Sequence, residues 1–400
     1  MLESIPRNPA AEVLLSGARL VDDEVQVAWA GERSTRRFSS FWLRDHCHSK
    51  HSLHPDTLQR QVDTFAIPVD IAPERLEIGP DGRELRIVWR HDGSQSLLPA
   101  AFLWEIAQGE GRDGAAGDLA AGRPAPTRSL WDRASIGEGF PTEGFPTLSY
   151  EEIASGDDGL LRWLSLVERY GFALASGTPP TLEATRALAT RIGYVRETIF
   201  GGMWDFTANL AFKDTAYTSA AIGPHTDGTY SLDPPGFQMF HCLTFDGTGG
   251  ESTLVDGFKV AEQIRKSDPL AFEVLASVKV PAQYLGDGVH LRAEHPVIGL
   301  DRNGDLAQIA YNNYDRAPFA LAGPRMAAFY RALKLFNQLI NDPSNEISMR
   351  LAPGTALLFD NGRALHGRRA YQGYRRLCGA YLNREDFDSK LRVLRARPAA

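Results

Sequence analysis

Two histidines and an aspartate have the types and spacing that metal chemistry requires. His225 and Asp227 stand two residues apart in GPHTDGTY, and alternate residues of a strand face the same side. His366 follows far downstream in NGRALHGRRAYQGYRRLCGAYLN. Two imidazoles and one carboxylate on one face of an iron ion leave coordination positions open, as in non-haem Fe(II) oxygenases. We therefore predict that these three residues bind Fe(II), and that 2-oxoglutarate and O₂ take the open positions.

A fixed cation for the far carboxylate of 2-oxoglutarate is offered by Arg375, nine residues after His366. Its planar guanidinium can hold a carboxylate through two parallel hydrogen bonds. Ser252 or Thr253, in the segment GGESTL, is predicted to donate a hydroxyl to the same carboxylate. His241 stands in the apolar segment GFQMFHCLTF, so we expect it to be a packed structural histidine and not a metal ligand.

The composition limits the classes of protein to which the chain can belong. The 400 residues are 43% hydrophobic and carry a formal net charge of −7, and no Lys/Arg run occurs, so nothing indicates a basic surface for nucleic acid. Three cysteines do not build a disulfide framework, so a reducing compartment is expected. The N-terminal residues lack the pattern of a targeting segment and no apolar run is long enough to span a bilayer, so we expect neither. These features predict a soluble cytoplasmic protein without nucleic-acid or membrane partners.

The pattern along the chain divides it into three parts. Short β-branched segments between turn residues predict a small β-rich N-terminal domain over residues 1–107. Residues 108–144 are rich in Gly, Ala and Pro, which predicts a linker. Over residues 145–400, many short strand segments and a few helices predict a mainly β domain with flanking α-helices, a double-sheet jelly roll. In the helix MAAFYRALKLFNQLI one face is predicted to be buried, formed by Met326, Phe329, Tyr330, Leu333, Phe336 and Ile340.

Several sequence blocks occur in order and give the chain a more specific likeness: RETIFGGMWDFTA, DTAYT, HTDGTY, FHCLTFDGTGG, LVDGF, YNNYDR and LHGRRAYQGYRRLCGAYL. Together they resemble the trimethyllysine and γ-butyrobetaine dioxygenase family, in the TauD-like branch of the 2-oxoglutarate oxygenases. The resemblance covers residues 145–395 and, more weakly, the N-terminal part. It implies a double-stranded β-helix that binds Fe(II) through His225, Asp227 and His366 and 2-oxoglutarate through Arg375.

The same family binds a quaternary ammonium group. A trimethylammonium has no N–H to donate, so it is recognised by aromatic faces through cation–π attraction and shape. By motif position, the resemblance assigns Trp204, Tyr217 and Tyr381 to this aromatic cage. Phe200 stands where the family often has a tyrosine.

The other end of the substrate is assigned to polar residues of two blocks. Asp214 could pair with an α-amino group, and Asn312, Asn313 and Arg316 would suit a phosphonate. Gly228 stands where butyrobetaine-type enzymes carry a tyrosine, which disfavours γ-butyrobetaine. We therefore expect hydroxylation of an aliphatic C–H in a small trimethylammonium compound. The first expectation is 2-(trimethylammonio)ethylphosphonate, the substrate of a bacterial hydroxylase similar to this family, and the alternatives are trimethyllysine and γ-butyrobetaine.

The N-terminal segment FWLRDHCHSKHSLHPDTLQRQVDT resembles the zinc segment of this family but lacks most of its ligands. Cys47 keeps one ligand position, whereas Ser49, Ser52 and Ser94 occupy the other three. We expect a zinc-free domain held by packing, and a homodimer formed through this domain as in relatives. The loop also holds four histidines that could bind a metal adventitiously: His46, His48, His51 and His54.

A protein of a different class remains open at this point. A non-catalytic jelly-roll protein could use the aromatic cage to bind quaternary ammonium osmolytes, and it would need neither Arg375 nor an open metal face. A metallohydrolase is less favoured, because no base residue accompanies the predicted metal ligands. Succinate release in the presence of Fe(II) and 2-oxoglutarate separates an oxygenase from both.

Overall fold

The computed structural model describes residues 13–31, 35–109, 128–136, 144–206, 218–286 and 288–397. The chain divides into two compact units. The smaller comprises Met1–Pro124 with Ala396–Ala400, and the larger comprises Ala125–Arg395.

The smaller unit contains two three-stranded antiparallel sheets, β1-β2-β3 and β4-β5-β6. Their strands are β1 (Leu15–Val21), β2 (Glu24–Trp29), β3 (Thr35–Ser39), β4 (Pro73–Ile78), β5 (Glu84–Trp89) and β6 (Gln95–Pro99). The helices are α1 (Ser40–Asp45) and α2 (Ala100–Gly109), with a 3-10 helix at Thr64–Ala66. Every second side chain of β2 and β5 is buried, so both sheets contribute an apolar face to one core.

The cysteine of the predicted zinc-like loop is buried and hydrogen-bonded. The Cys47 sulfur accepts hydrogen bonds from the backbone N–H of Ser49 at 3.3 Å and of Leu97 at 3.4 Å. The Ser49 hydroxyl donates to the Ser52 hydroxyl at 3.3 Å. Burial alone would raise the pKa of Cys47, but the hydrogen bonds from Ser49 and Ser52 lower it. Ser49 and Ser52, two of the three serines that stand where the family has zinc ligands, thus form one polar network with Cys47.

The larger unit contains the remaining strands and helices. The strands are β7 (Thr147–Ser149), β8 (Phe172–Ser176), β9 (Val195–Arg196), β10 (Met203–Phe206), β11 (Ile222–His225), β12 (Phe237–Gly249), β13 (Ser252–Asp256), β14 (Lys279–Gly286), β15 (Val289–Pro296), β16 (Ile298–Leu300), β17 (Leu306–Ile309), β18 (Glu346–Met349), β19 (Ala356–Asp360), β20 (Ala364–Arg368) and β21 (Tyr371–Leu382). The helices are α3 (Tyr150–Ser155), α4 (Asp157–Tyr170), α5 (Leu182–Ile192), α6 (Gly257–Ser267), α7 (Pro269–Ser277), α8 (Gly323–Ile340) and α9 (Arg384–Ala396).

Two sheets of this unit carry the predicted site residues. The larger sheet has the order β10-β21-β12-β19-β8-β7, and β9 also pairs with β21. The smaller sheet has the order β11-β20-β13-β18. All pairs in both sheets are antiparallel except β7 with β8. The unit is therefore a strand-rich, mixed α/β structure. It contains more helix than the few flanking helices that the sequence predicted.

Helix α8 confirms the amphipathic segment that the sequence predicted, and α5 is a second amphipathic helix. The hydroxyl of Thr181 caps α5 by accepting a hydrogen bond from the Ala184 N–H. In α8 the predicted face is buried at Phe329, Leu333, Phe336 and Ile340, and Met326 packs against it. Tyr330 was wrongly placed on this face: it is 48% exposed, and its ring lies beside the Arg316 guanidinium. Among the helices of the described ranges, none is long and apolar enough to cross a bilayer.

Candidate active site

Strand pairing brings the two predicted histidines together. His225 ends β11 and lies directly opposite His366 in the antiparallel pair of β11 with β20. The centroids of their rings are 4.2 Å apart. Directly opposite residues of antiparallel strands have Cβ atoms about 4.5–5.5 Å apart, so the register alone places these imidazoles side by side.

Asp227 lies beyond the end of β11, and the intervening Thr226 fixes its direction. The N–H of Thr226 donates to the Tyr311 carbonyl at 2.7 Å, and its hydroxyl accepts from the Tyr311 N–H at 2.9 Å. His225 and Asp227 both line the same cavity, whereas the buried Thr226 is turned to Tyr311. The alternation that the H-x-D spacing predicted is thus maintained past the strand end by a loop contact.

The three side chains converge with their ligand atoms towards one another. Nε2 of His225 lies 3.3 Å from Oδ1 of Asp227, and Nε2 of His366 lies 3.7 Å from Oδ2 of Asp227. One ligand atom from each residue lies within 4.8 Å of the other two. In the described part of the chain, no second group of His, Cys, Asp and Glu meets this condition.

The electrostatics of the cluster suit a bound cation. Burial alone would raise the pKa of Asp227, but the two histidines and the Tyr381 hydroxyl hold it well below its ordinary value. Burial and the neighbouring His225 lower the pKa of His366 to about 3, so this ring is neutral. Burial alone would lower the pKa of His225, but its hydrogen bond with Asp227 raises it. Because His225 Nδ1 lies 2.9 Å from the Gly223 carbonyl and can donate to it, Nε2 is the nitrogen left for a metal.

These donors fit a non-haem iron ion. Two imidazole nitrogens and one carboxylate form an incomplete ligand set that leaves positions open to the cavity. The His366 ring packs between Phe240 and Phe359, at centroid distances of 5.8 and 4.8 Å. No described group bonds to His366 Nδ1, so packing and not a hydrogen bond orients this ligand.

A cavity of about 400 Å³ opens onto the cluster, within the roughly 300–1,000 Å³ of small-molecule sites. Arg375 of β21 lines it and is 7% exposed. Burial and the neighbouring Arg368 lower the pKa of Arg375 to about 10, so it stays charged at neutral pH. Among the described residues, Cys242 and Tyr371 are the other ionisable groups that affect this pKa. Neither of them, nor Arg368, is a carboxylic acid. An anionic ligand would stabilise a buried cation in this setting, because burying an unpaired charge is costly.

The two hydroxyl candidates for the same anion occupy different places. Ser252 lines the cavity together with Arg375, whereas Thr253 is buried and not among the lining residues. Successive residues of β13 face opposite sides of the sheet, so only one of the two can face the anion.

Three of the predicted cage aromatics line the cavity: Phe200, Trp204 and Tyr381. The rings of Trp204 and Tyr381 are 5.4 Å apart at an interplanar angle of 62°. Trp204 lies across Gly379, where a Cβ would come within 2.2 Å of the indole Cζ3. The glycine therefore provides the slot that the indole occupies. The fourth predicted cage residue, Tyr217, lies outside the described residues, as does Asp214.

Tyr381 also contacts the metal cluster. Its hydroxyl donates to Oδ2 of Asp227 at 2.7 Å. We predict that Tyr381→Phe weakens the binding of Mn(II) about 10-fold, because partners of metal ligands typically contribute 10–100-fold to metal affinity. The KM for a trimethylammonium substrate should change little, because the ring is kept. Calorimetric titration measures the first effect and steady-state kinetics the second.

The matched control for this prediction is Tyr311→Phe. It removes a buried hydroxyl that donates to Asn337 and has no contact with the cluster. An unchanged Mn(II) affinity in Tyr381→Phe, or an equal loss in both variants, would show that the hydroxyl does not act on Asp227.

The predicted polar residues are divided between two cavities. Asn312 lines the main cavity beside Asp315, to which its side-chain amide donates at 2.8 Å. Asn313 and Arg316 instead line a second, much smaller cavity of about 20 Å³, of which Asn312 forms a shared wall. The structure therefore separates Arg316 from the site that the other residues form.

Gly228 has a structural reason to be glycine. Its φ is +72°, a conformation that side chains disfavour, and a Cβ there would lie 2.5 Å from Cδ of Pro235. A tyrosine next to the metal-binding aspartate does not fit this backbone.

Several lining residues were not predicted from the sequence: Tyr230, Gln238, Tyr284, Tyr314 and Arg368. A signal existed for Gln238, because a polar residue interrupts an apolar strand there. In the described part of the chain its Oε1 is buried without a hydrogen-bond partner. His241, on the same strand, confirms its predicted packed role, since its Nδ1 lies 2.7 Å from the Thr185 hydroxyl and it is fully buried.

Comparisons with known proteins agree with this geometry. Residues 132–381 match the family described as "Taurine catabolism dioxygenase TauD, TfdA family", and residues 19–104 match "Gamma-butyrobetaine hydroxylase-like, N-terminal". The trimethyllysine dioxygenase of Meyerozyma guilliermondii is 37% identical over 93% of this chain and 94% of that protein. The mitochondrial trimethyllysine dioxygenases of Gallus gallus and Homo sapiens are 36% and 35% identical, over 96% and 93% of this chain and 89% and 86% of their own lengths.

Proposed function

The chain belongs to the taurine catabolism dioxygenase TauD, TfdA family, and from its trimethyllysine dioxygenase relatives we propose that it hydroxylates an aliphatic C–H of trimethyllysine. It is a dioxygenase that depends on Fe(II), 2-oxoglutarate and O₂. The observation that carries the proposal is the convergence in one cavity of the His–Asp–His cluster, the buried Arg375 and the Trp204–Tyr381 pair.

Each residue has a defined task in this proposal. His225, Asp227 and His366 hold the iron, which when bound activates O₂ against a C–H bond. Arg375 holds the far carboxylate of 2-oxoglutarate through its planar fork and so directs the other end of the molecule to the cluster. Trp204 presents its face to the trimethylammonium group. The protein thereby fixes both molecules relative to the metal, and no general acid or base is required.

Trimethyllysine is favoured over the phosphonate by two observations. The three relatives described above, which match almost the whole chain, are named as trimethyllysine dioxygenases. In addition, the main cavity contains the carboxylate of Asp315, which suits an α-ammonium, whereas Arg316, the cation expected for a phosphonate, lines the other cavity. γ-Butyrobetaine is disfavoured because residue 228 has no room for the tyrosine of butyrobetaine-type enzymes.

The proposal extends to the architecture. We propose that the seven-stranded and four-stranded sheets form the double-stranded β-helix of a jelly roll, with the cluster between them. The proposed domains are residues 1–107, a linker over 108–144 and the oxygenase domain over 145–400. Homodimerisation and a cytoplasmic location are predictions from the sequence.

A side-by-side assay tests the substrate. The chain is incubated with Fe(II), 2-oxoglutarate and O₂ and with trimethyllysine, γ-butyrobetaine or the trimethylammonio phosphonate, and succinate and hydroxylated product are quantified. We expect the highest kcat/KM for trimethyllysine, with one succinate formed per hydroxylated product. A higher kcat/KM for the phosphonate would replace the proposed substrate. Binding of a trimethylammonium compound without any succinate would favour the non-catalytic alternative.

A further inference from the structure

Asn361 is a fully buried residue that the proposed chemistry does not use. It is 1% exposed and lies in the turn between β19 and β20, shortly before His366 on β20. It does not line the cavity. The hydrogen bonds of its side chain nevertheless all go to the loop that carries Asp227.

The carboxamide of Asn361 bonds to both peptide groups of Asp227. Its Oδ1 accepts from the Asp227 N–H at 2.8 Å, and its Nδ2 donates to the Asp227 carbonyl at 3.0 Å. The second proton of Nδ2 goes to the Pro235 carbonyl at 2.9 Å, and the Asn361 backbone N–H donates to the Gly236 carbonyl at 3.0 Å. All the donor capacity of the amide is therefore used within one loop.

This arrangement replaces a missing strand partner. The ladder between β11 and β20 ends at the pair His225–His366, so the backbone of Asp227 has no opposite residue. A carboxamide has the donor and acceptor of a peptide group, and here it makes the two bonds that a paired strand residue would make. The Asn361 side chain thereby fixes the Asp227 backbone relative to the segment just before β20, beyond the point where the pairing of β11 with β20 ends.

We propose that Asn361 is a positioning residue that sets the place of the Asp227 carboxylate relative to His225 and His366. This inference rests on the proposed metal site. Without the carboxamide of Asn361, the Asp227 backbone would be held through the neighbouring Thr226 and its carboxylate through the Tyr381 hydroxyl. The distances of 3.3 and 3.7 Å from the carboxylate to the two Nε2 atoms would then be less firmly fixed. Hydrogen bonds around metal ligands typically help to fix their geometry.

Asn345 provides a matched control for the purely structural role of a buried asparagine. It is 3% exposed and its side chain also makes three hydrogen bonds, two with Gln263 and one with the Leu339 carbonyl. It contacts neither the cavity nor the cluster. Loss of either side chain should lower the stability of the fold by a similar amount, but only loss of Asn361 should affect the metal.

The experiment compares the full-length wild type with Asn361→Ala, Asn345→Ala and His366→Ala. Mn(II) affinity is measured by calorimetry, the Co(II) d–d absorption spectrum reports ligand geometry, and the Tm without added metal reports stability. We expect Asn361→Ala to bind Mn(II) at least about 10-fold more weakly and to show an altered Co(II) spectrum. Asn345→Ala should lose a similar amount of Tm and keep the Mn(II) affinity within about twofold, because independent sites act additively.

The outcomes separate this inference from the proposed metal site. If the wild type and His366→Ala bind Mn(II) alike, the metal site itself is wrong. If His366→Ala loses the metal while Asn361→Ala keeps the wild-type affinity and Co(II) spectrum, or loses no more than Asn345→Ala, the inference is overturned. Should Asn361→Ala fail to fold, Asn361→Asp replaces it, with Asn345→Asp as its control. The aspartate keeps the bond to the Asp227 N–H but cannot make the two donated bonds.

Discussion

Replacing Arg375 by leucine is expected to raise the KM for 2-oxoglutarate between about 30-fold and several thousand-fold. Truncating one partner of a buried, hydrogen-bonded charge pair costs about 2–5 kcal/mol, and each 1.4 kcal/mol is about tenfold in affinity. The arginine is buried in the cavity wall and its neighbours among the described residues include no acid, which supports our proposal that it holds the co-substrate carboxylate. Initial rates over a range of 2-oxoglutarate concentrations measure the effect.

The neighbouring Arg376 provides the control for this prediction. It lies on the opposite face of β21, is 43% exposed and forms an ion pair with Asp205. Arg376→Leu should leave the KM for 2-oxoglutarate within about twofold, as surface ion pairs contribute little. Arg375→Lys should fall between the two, because lysine keeps the charge but not the planar fork. A wild-type KM in Arg375→Leu would show that another residue anchors the co-substrate.

Replacing Trp204 by alanine is expected to raise the KM for trimethyllysine roughly 30-fold or more, with the KM for 2-oxoglutarate nearly unchanged. A desolvated cation–π contact is worth about 2 kcal/mol or more, and the indole also gives the site its shape. Trp204 is 5% exposed and packs edge to face against Tyr381 and Phe240, at centroid distances of 5.4 and 5.6 Å and interplanar angles of 62°. Steady-state kinetics with each co-substrate varied in turn separates the two KM values.

A neutral substrate analogue shows whether charge or shape is lost in this variant. In the analogue, carbon replaces the quaternary nitrogen, so the methyl groups stay and the charge is removed. The wild type should prefer the cation strongly, Trp204→Phe should keep much of that preference, and Trp204→Ala should lose most of it. An equal preference for the cation in wild type and Trp204→Ala would remove Trp204 from the cage.

Two residues of the metal cluster, His225 and Asp227, were predictable because their spacing is local. H-x-D needs only the two-residue period of an extended chain to place both side chains on one side. His366 and Arg375 were predictable from chain order and family resemblance, but their position in space depends on the register of β11 with β20 and of β12 with β21. Such long-range pairing has no signature in the residues themselves.

Other contacts depend on tertiary structure, and no pattern in the sequence indicates them. The carboxamide of Asn361 meets Asp227 only because the turn between β19 and β20 lies against the loop after β11, and an asparagine in a turn is usual without any such role. The hydroxyl of Tyr381 reaches Asp227 from a different sheet. Tyr330 follows the helical period of its neighbours, yet it lies at the edge of the apolar face and is half exposed. Periodicity predicts a face but not how far burial extends around it.

The most direct test of this account is the production of succinate by the wild type and by His366→Ala, with Fe(II), 2-oxoglutarate and trimethyllysine supplied together. The wild type should release succinate in step with hydroxytrimethyllysine. His366→Ala, which removes one of three ligands from a cluster with no described substitute, should release neither above background. Substrate-dependent succinate production that is unchanged in His366→Ala would contradict the assignment of this cluster as the catalytic iron site.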